Sequence, residues 1–153
     1  MSIVFSKLFL KGLIMINILI SIKRPYSANI LSGKKVWELR KTAPRISRGE
    51  HATLWMYESG KDGQRAIVGK CRMVSIVPLR HMPFGYPLAS FLSESCVTKE
   101  HLIDYLPCCA WGVCDPVNLA LVPLSVISLN RPPQSWQYLT DEQAAILEQE
   151  GGL

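Results

Sequence analysis

The chain has 153 residues, of which 48% are hydrophobic and 19% are charged, and its net charge is +5. This composition is typical of one globular domain and excludes a disordered, collagen-like or disulfide-rich chain. Residues 1–72 carry 14 of the 17 Lys and Arg but four of the 12 acids, a net charge of +10 against −5 for the remainder. We therefore expect one face to attract an anionic partner, with an ordinary solvated basic surface as the alternative.

The first 20 residues are apolar, but Lys11 and Gly12 interrupt them and no small-residue cleavage site follows. Such a stretch is too short and too interrupted to span a bilayer. We interpret residues 1–15 as an N-terminal extension, with Met15 as an alternative start and a membrane anchor as the less favoured reading. We expect a cytoplasmic protein without membrane association.

Five cysteines are present, and none forms a C-x-x-C pair or a common zinc-ligand spacing. A metal cluster of His101 with Cys108 is the alternative to free thiols. We expect reduced, mostly buried thiols, no metal and no cofactor.

The first elements are predicted from residue preferences. Residues 16–22 are rich in β-branched side chains and predict a buried strand. Pro25 ends this strand and suits the first turn of a helix over residues 26–32, which Gly33 closes. Residues 34–40 return as a strand.

Further strands are predicted at residues 51–57 and 65–78, where Gly69 indicates a bulge or a barrel bend. The remaining predicted elements are helices at 88–94 and 98–106, extended segments at 109–114 and 119–129, and an acidic helix at 141–150. Short strands separated by short helices predict an α+β fold, a small β-barrel of about five to six strands with inserted helices. We place this domain at residues 16–139 and a C-terminal acidic helix and tail at 140–153.

The segment SIKRPYSANILSGKKVWELR, residues 21–40, resembles the opening motif of the ASCH family. The matching positions are Ser21, Ile22, Lys23, Tyr26, Ile30, Leu31, Ser32, Gly33, Lys35, Glu38, Leu39 and Arg40. Weaker matches follow at Gly49, Tyr57, Ser59, residues 67–69, 98–105 and 132–136. The resemblance extends over residues 16–139 and implies a PUA-like barrel.

The ASCH family resembles RNA-associated modules, and some of its members remove acetyl from 4-acetylcytidine with a Lys, a Thr and a Glu. Nuclease activity has also been proposed for members. Carried over by motif, the lysine corresponds to Lys35, the threonine position to Glu38, and the glutamate approximately to Glu94. Glu38 has no hydroxyl, so a mechanism that uses Thr cannot be transferred to this chain.

The candidate catalytic residues are therefore Lys35, Glu38 and Glu94. The candidate ligand-binding residues are Lys23, Arg24, Tyr26, Lys34, Arg40, Lys41, Tyr57 and Ser59. Within one strand, alternation would place Lys35 and Glu38 on opposite faces. The two side chains therefore meet only if Lys35 precedes the strand. The alternative to a functional role for Lys35 is that of an exposed lysine in a turn. The alternative for Glu38 is an ion pair with Arg40 that braces the barrel mouth.

The leading hypothesis is an RNA- or nucleotide-binding protein with a basic cleft that accepts a base, modified or not. The alternative is a hydrolase, either an amidohydrolase on 4-acetylcytidine-type nucleosides that uses Lys35 and Glu38 or, ranked last, a ribonuclease. A third hypothesis is a protein partner that binds the acidic C-terminal helix.

Overall fold

Six strands and four short helices make up the part of the chain that the structure describes, residues 16–47, 49–82 and 87–152 of a computed structural model. The strands are β1 (Ile16–Lys23), β2 (Trp37–Arg40), β3 (Ala52–Ser59), β4 (Ile67–Leu79), β5 (Cys108–Val122) and β6 (Trp136–Leu139). The helices are α1 (Tyr26–Leu31), α2 (Leu88–Ser95), α3 (Lys99–Tyr105) and α4 (Asp141–Glu150), with a 3-10 helix at Leu124–Ile127. The N-terminal extension predicted for residues 1–15 lies outside the described residues.

The strands form one sheet in the order β2-β5-β4-β3-β1-β6, in which only the β1–β3 pair is parallel among the described strands. The sheet curls so that its two ends approach each other. Arg40 of β2 donates to the carbonyl oxygen of Ser21 in β1 at 2.8 Å. Trp136 of β6 donates to the hydroxyl of Thr42, just after β2, at 2.9 Å. The result is a half-barrel, which confirms the predicted α+β fold with five to six strands.

Both faces of the central strands are covered. Ile18 and Ile20 of β1 face one hydrophobic cluster, while Leu19, between them, faces another together with Leu147 of α4. The sequence of a strand that is buried on both faces is a nearly continuous apolar run, as it is at residues 16–22. A third cluster joins Leu39 of β2 to α2 and α3.

The predicted bulge at Gly69 is confirmed, since the register of β4 against β5 shifts between Ile67 and Gly69. Gly69 has no room for a side chain, because a Cβ there would lie 2.8 Å from the backbone oxygen of Val117 and 2.5 Å from the Leu31 side chain. The glycine therefore lets α1 pack closely on the sheet.

The C-terminal half differs from the prediction in three places. Residues 109–122 are not broken at Pro116 but belong to one strand, because Asp115 and Pro116 bulge opposite a single residue of β4 and Asp115 has φ 52°. The next segment, expected to be extended, forms the 3-10 helix. Strand β6 was not predicted. The acidic helix was predicted, and Thr140 caps it in a capping box with Gln143.

All five cysteines are free, with Cys71 and Cys108 buried and the others partly exposed. Burial raises the pKa of the Cys71 thiol to about 12. In the described residues, no helix is long and apolar enough to cross a membrane. The same residues contain no group of three or more His, Cys, Asp or Glu that could hold a metal ion.

Candidate functional site

A pocket of about 600 Å³ opens where the two ends of the curled sheet meet. It is lined by the end of β1, the segment from the α1–β2 turn to Thr42, one face of α3 and the residues before β6. Seven of the eleven predicted site residues line it, namely Lys23, Tyr26, Lys35, Glu38, Arg40, Lys41 and Ser59. Most of the predicted residues are thus brought together by the fold.

The position of Lys35 follows from the turn that ends α1. Gly33 has φ 82°, a conformation that glycine adopts without strain, and it reverses the chain after the helix. The Lys35 amide then donates to the carbonyl oxygen of Asn29 at 2.9 Å, and β2 begins two residues later at Trp37. Lys35 therefore precedes the strand alternation, which is the condition for it to meet Glu38.

The Lys35 side chain is only 1% exposed. Its ammonium donates to the carbonyl oxygen of Ser95 at the C-terminal end of α2, where the helix dipole favours a cation. Nζ lies 3.9 Å from Glu38 Oε1 and 5.0 Å from the centre of the Tyr26 ring. Burial lowers the pKa of Lys35, while the Glu38 carboxylate opposes this shift.

Glu38 is 6% exposed, and its two oxygens have different surroundings. Oε1 accepts a hydrogen bond from the Leu39 amide at 3.1 Å. Oε2 lies 3.8 Å from the nearest Arg40 nitrogen and accepts no hydrogen bond from the described residues. A buried carboxylate oxygen that accepts no hydrogen bond is costly, and a donor from water or from a ligand in the pocket removes this cost.

Arg40 both closes the half-barrel and lines the pocket. Besides its bond to Ser21, the guanidinium donates to the Ser135 hydroxyl at 3.2 Å and to the Ser135 carbonyl oxygen at 3.3 Å. Its pairing with Glu38 is ionic but too long for a hydrogen bond. The expected ion pair that braces the barrel mouth is present, although Arg40 braces it chiefly through the two serines.

Two lysines stand at the rim of the pocket, and both are exposed. The Lys23 stem lies against Gly60, where an added Cβ would be 3.4 Å from Lys23 Cγ. The Lys41 ammonium donates to the carbonyl oxygens of Tyr105 and Pro107 and lies 4.3 Å from the centre of the Tyr105 ring. The rim is thus positively charged.

Four predicted residues lie outside the pocket lining. Arg24 pairs with the buried Glu58 at 2.9 Å and lines a separate groove. Glu94 accepts a hydrogen bond from the Trp37 indole at 3.2 Å, which ties α2 to β2. Lys34 is exposed beside the turn, and Tyr57 is buried in the core next to Trp55. The predicted cleft therefore keeps seven of its residues and loses these four.

The pocket also contains residues that were not among the predicted site residues. His101 and Tyr105 come from α3, and Gln134 and Ser135 come from the segment before β6. The sequence signals for these residues were the weak family match at residues 98–105 and 132–136 and, for His101, a possible metal ligand beside Cys108. Neither signal predicted a role in this pocket.

No protein-family model matches the sequence, and a search of curated proteins found no match. Among solved structures, the chain is similar to ASCH from Zymomonas mobilis, with 22% identity, a TM-score of 0.69, and coverage of 87% of this chain and 94% of that one. Two mutant forms of that protein match with 20% and 21% identity and a TM-score of 0.71. Both matches cover 87% of this chain, and they cover 94% and 96% of the two mutant chains, respectively.

Proposed function

We propose that this chain, which has the fold of an ASCH domain, binds RNA or a nucleotide and holds one base against Lys35, Glu38 and Arg40. The observation that supports this most directly is Glu38 Oε2, a buried acceptor on the wall of an open pocket to which no described residue donates a hydrogen bond. Pockets of about 300–1,000 Å³ with a few convergent polar groups are typical small-ligand sites.

The polar groups favour a particular kind of base. Glu38 Oε2 accepts from an exocyclic amine, and Lys35, which uses one of its three N–H groups on Ser95, donates to a neighbouring ring nitrogen or carbonyl. Cytosine and adenine carry an amine beside such an acceptor. Uracil carries a carbonyl in place of the amine, and two facing acceptors repel each other.

The charge of the pocket suits a phosphate-bearing ligand. Among the described residues that line it, four are cationic, Lys23, Lys35, Arg40 and Lys41, and one, Glu38, is a carboxylate. Phosphate contacts made by lysine and arginine supply affinity that falls with salt. We therefore expect nucleotides to bind more tightly than nucleosides at low salt.

The test compares CMP with UMP by isothermal titration calorimetry. We expect the wild type to prefer CMP by about tenfold, the low end of what one good base contact gives. Glu38→Gln should lose most of this preference, because an amide can donate to the uracil carbonyl. Glu142→Gln, the same change on an exposed residue of α4, should keep it. Failure of every nucleotide to bind at low salt, or an unchanged preference in Glu38→Gln, rejects the proposal.

A second function, hydrolysis of an N4-acetylated cytidine, is favoured by the 3.9 Å contact between Lys35 Nζ and Glu38 Oε1 on the wall of the pocket. Glu38 would take a proton from water while the hydroxide adds to the acetyl carbonyl, and the Lys35 ammonium would stabilise the oxyanion. Cleavage of the C–N bond, with the proton passed to the leaving amine, gives acetate and cytidine.

Incubation of 4-acetylcytidine with the protein, followed by absorbance, tests the second function. Turnover that Glu38→Gln abolishes supports it, and the absence of turnover rejects it. The ribonuclease alternative predicts instead that RNA is cleaved and that EDTA stops the cleavage.

A further inference from the structure

We infer that helix α3 forms a subsite for a second nucleotide, so that the ligand is an oligonucleotide of at least two units rather than a free nucleoside. This inference rests on the proposed function and specifies its ligand. It starts from the observation that His101 and Tyr105 line the same pocket as Glu38 but belong to a separate element.

The helix is fixed so that these two rings share one face. Thr98 caps α3 by accepting a hydrogen bond from the His101 amide at 3.1 Å. Leu102 is completely buried in the cluster that contains Leu39. His101 and Tyr105 are four residues apart, so they lie one above the other on the helix.

The two rings form a continuous aromatic surface. Their centroids are 5.9 Å apart and their planes differ by 20°. His101 is exposed, whereas Tyr105 is partly buried behind it. Unstacked bases bind on the faces of tyrosine and histidine rings, and such stacking tolerates any base. An exposed imidazole backed by a phenol ring at a pocket wall is suited to a second base.

Lys41 links this surface to the base pocket. It follows Arg40 directly, and its ammonium reaches the last residue of α3 through the carbonyl oxygen of Tyr105. A second bond goes to the carbonyl oxygen of Pro107 at 3.3 Å. An ammonium has three N–H groups, so one remains for a phosphate oxygen. A phosphate that joins two nucleotides would lie between the Glu38 end of the pocket and α3.

The experiment measures affinity by calorimetry for three probes that carry two phosphates each. Cytidine 3′,5′-bisphosphate has no second base, whereas pCpA and pApC add an adenine on one side or the other. In the wild type, we expect one of the two dinucleotides to bind about tenfold more tightly than the bisphosphate. His101→Ala should remove this gain and leave the bisphosphate affinity within about twofold.

Two further variants distinguish loss of the aromatic surface from damage to the fold of α3. Tyr105→Leu keeps the bulk of the side chain but removes the ring, and it should also reduce the gain. Ile103→Ala removes another exposed side chain of α3, one outside the pocket lining, and it should retain the gain.

The failure of this inference differs from the failure of the proposed function. One overturning result is that the bisphosphate binds in a Glu38-dependent way and neither dinucleotide binds more tightly. The other is that His101→Ala weakens the binding of all three probes equally. In both cases α3 does not hold a second base. If the dinucleotide gain depends on His101 while Glu38→Gln changes nothing, the subsite stands and the base pocket fails. If no probe binds, both are overturned.

Discussion

Lys35 Nζ lies 3.9 Å from Glu38 Oε1, and both side chains are almost completely buried. At this distance the two charges attract each other without forming a hydrogen bond. Two desolvated charges that are imperfectly paired stabilise a fold little, because the cost of removing them from water is not fully offset. Such a pair on the wall of an open pocket is better suited to meeting a ligand than to holding the protein together.

The first prediction concerns the stability of this pair. Lys35→Met should lower the free energy of unfolding by about 3 kcal/mol, because it leaves the Glu38 carboxylate buried with a distant partner. The double variant Lys35→Met/Glu38→Leu should lose less than the single variant, since neither charge then remains. Urea denaturation measures both of these variants and the single variant Glu38→Leu, and Lys34→Met, an exposed neighbour, should stay close to the wild type. A double variant that loses the sum of the two single losses would show that the side chains do not interact.

The second prediction concerns pH. Burial holds the pKa of Lys35 in the folded protein below its ordinary value of 10.5, which applies to the unfolded chain. Between these two values the unfolded chain binds more protons than the folded protein, so the Lys35 contribution to stability rises with pH and is complete above 10.5. The free energy of unfolding of the wild type, relative to Lys35→Met, should therefore increase as the pH rises through this window. Parallel stability curves for the two proteins would contradict the shift.

The Lys35–Glu38 contact was predictable because it depends on one short segment. The glycine turn after α1 and the strand that follows are both visible in the sequence, and a lysine two residues past Gly33 can only meet Glu38 from the turn. The contact of Lys35 with Ser95 and the position of His101 on the pocket wall were not predictable, because both depend on how α2 and α3 pack against β2.

The misplaced residues have a common physical reason. The alternation of β3 does not show which ring is exposed, since Trp55 and Tyr57 are both buried in a strand with covered faces. The direction of Arg24 is set by Glu58, a buried acid whose other oxygen accepts a hydrogen bond from Ser27 at 2.8 Å. The direction of Glu94 is likewise set by a distant indole. The sequence pattern around such a residue shows that it is charged or aromatic, but not which distant side chain it contacts.

The third prediction tests Arg40 as the link between the two ends of the sheet. Arg40→Met removes charged hydrogen bonds to Ser21 and Ser135 and should cost about 2 kcal/mol of stability. The loss should be local, so hydrogen exchange should increase more at residues 136–139 than at the β3–β4 pair. Arg40→Lys keeps the charge but cannot make the forked contact, and it should recover only part of the protection. Uniform loss of protection across the sheet would contradict this role.

The fourth prediction separates two exposed lysines that differ in position. Lys23 lines the pocket, whereas Lys34 lies outside its lining. If the Lys23 ammonium contacts a phosphate, Lys23→Gln should reduce the slope of log affinity against log salt by about 0.7 for a single-stranded ligand, because one fewer counterion is released. Fluorescence anisotropy with a short labelled RNA at several salt concentrations gives this slope. Lys34→Gln changes the net charge by the same amount and should leave the slope near that of the wild type. Equal changes in the two variants would mean that RNA responds to the overall charge of this face rather than to a phosphate held at the rim.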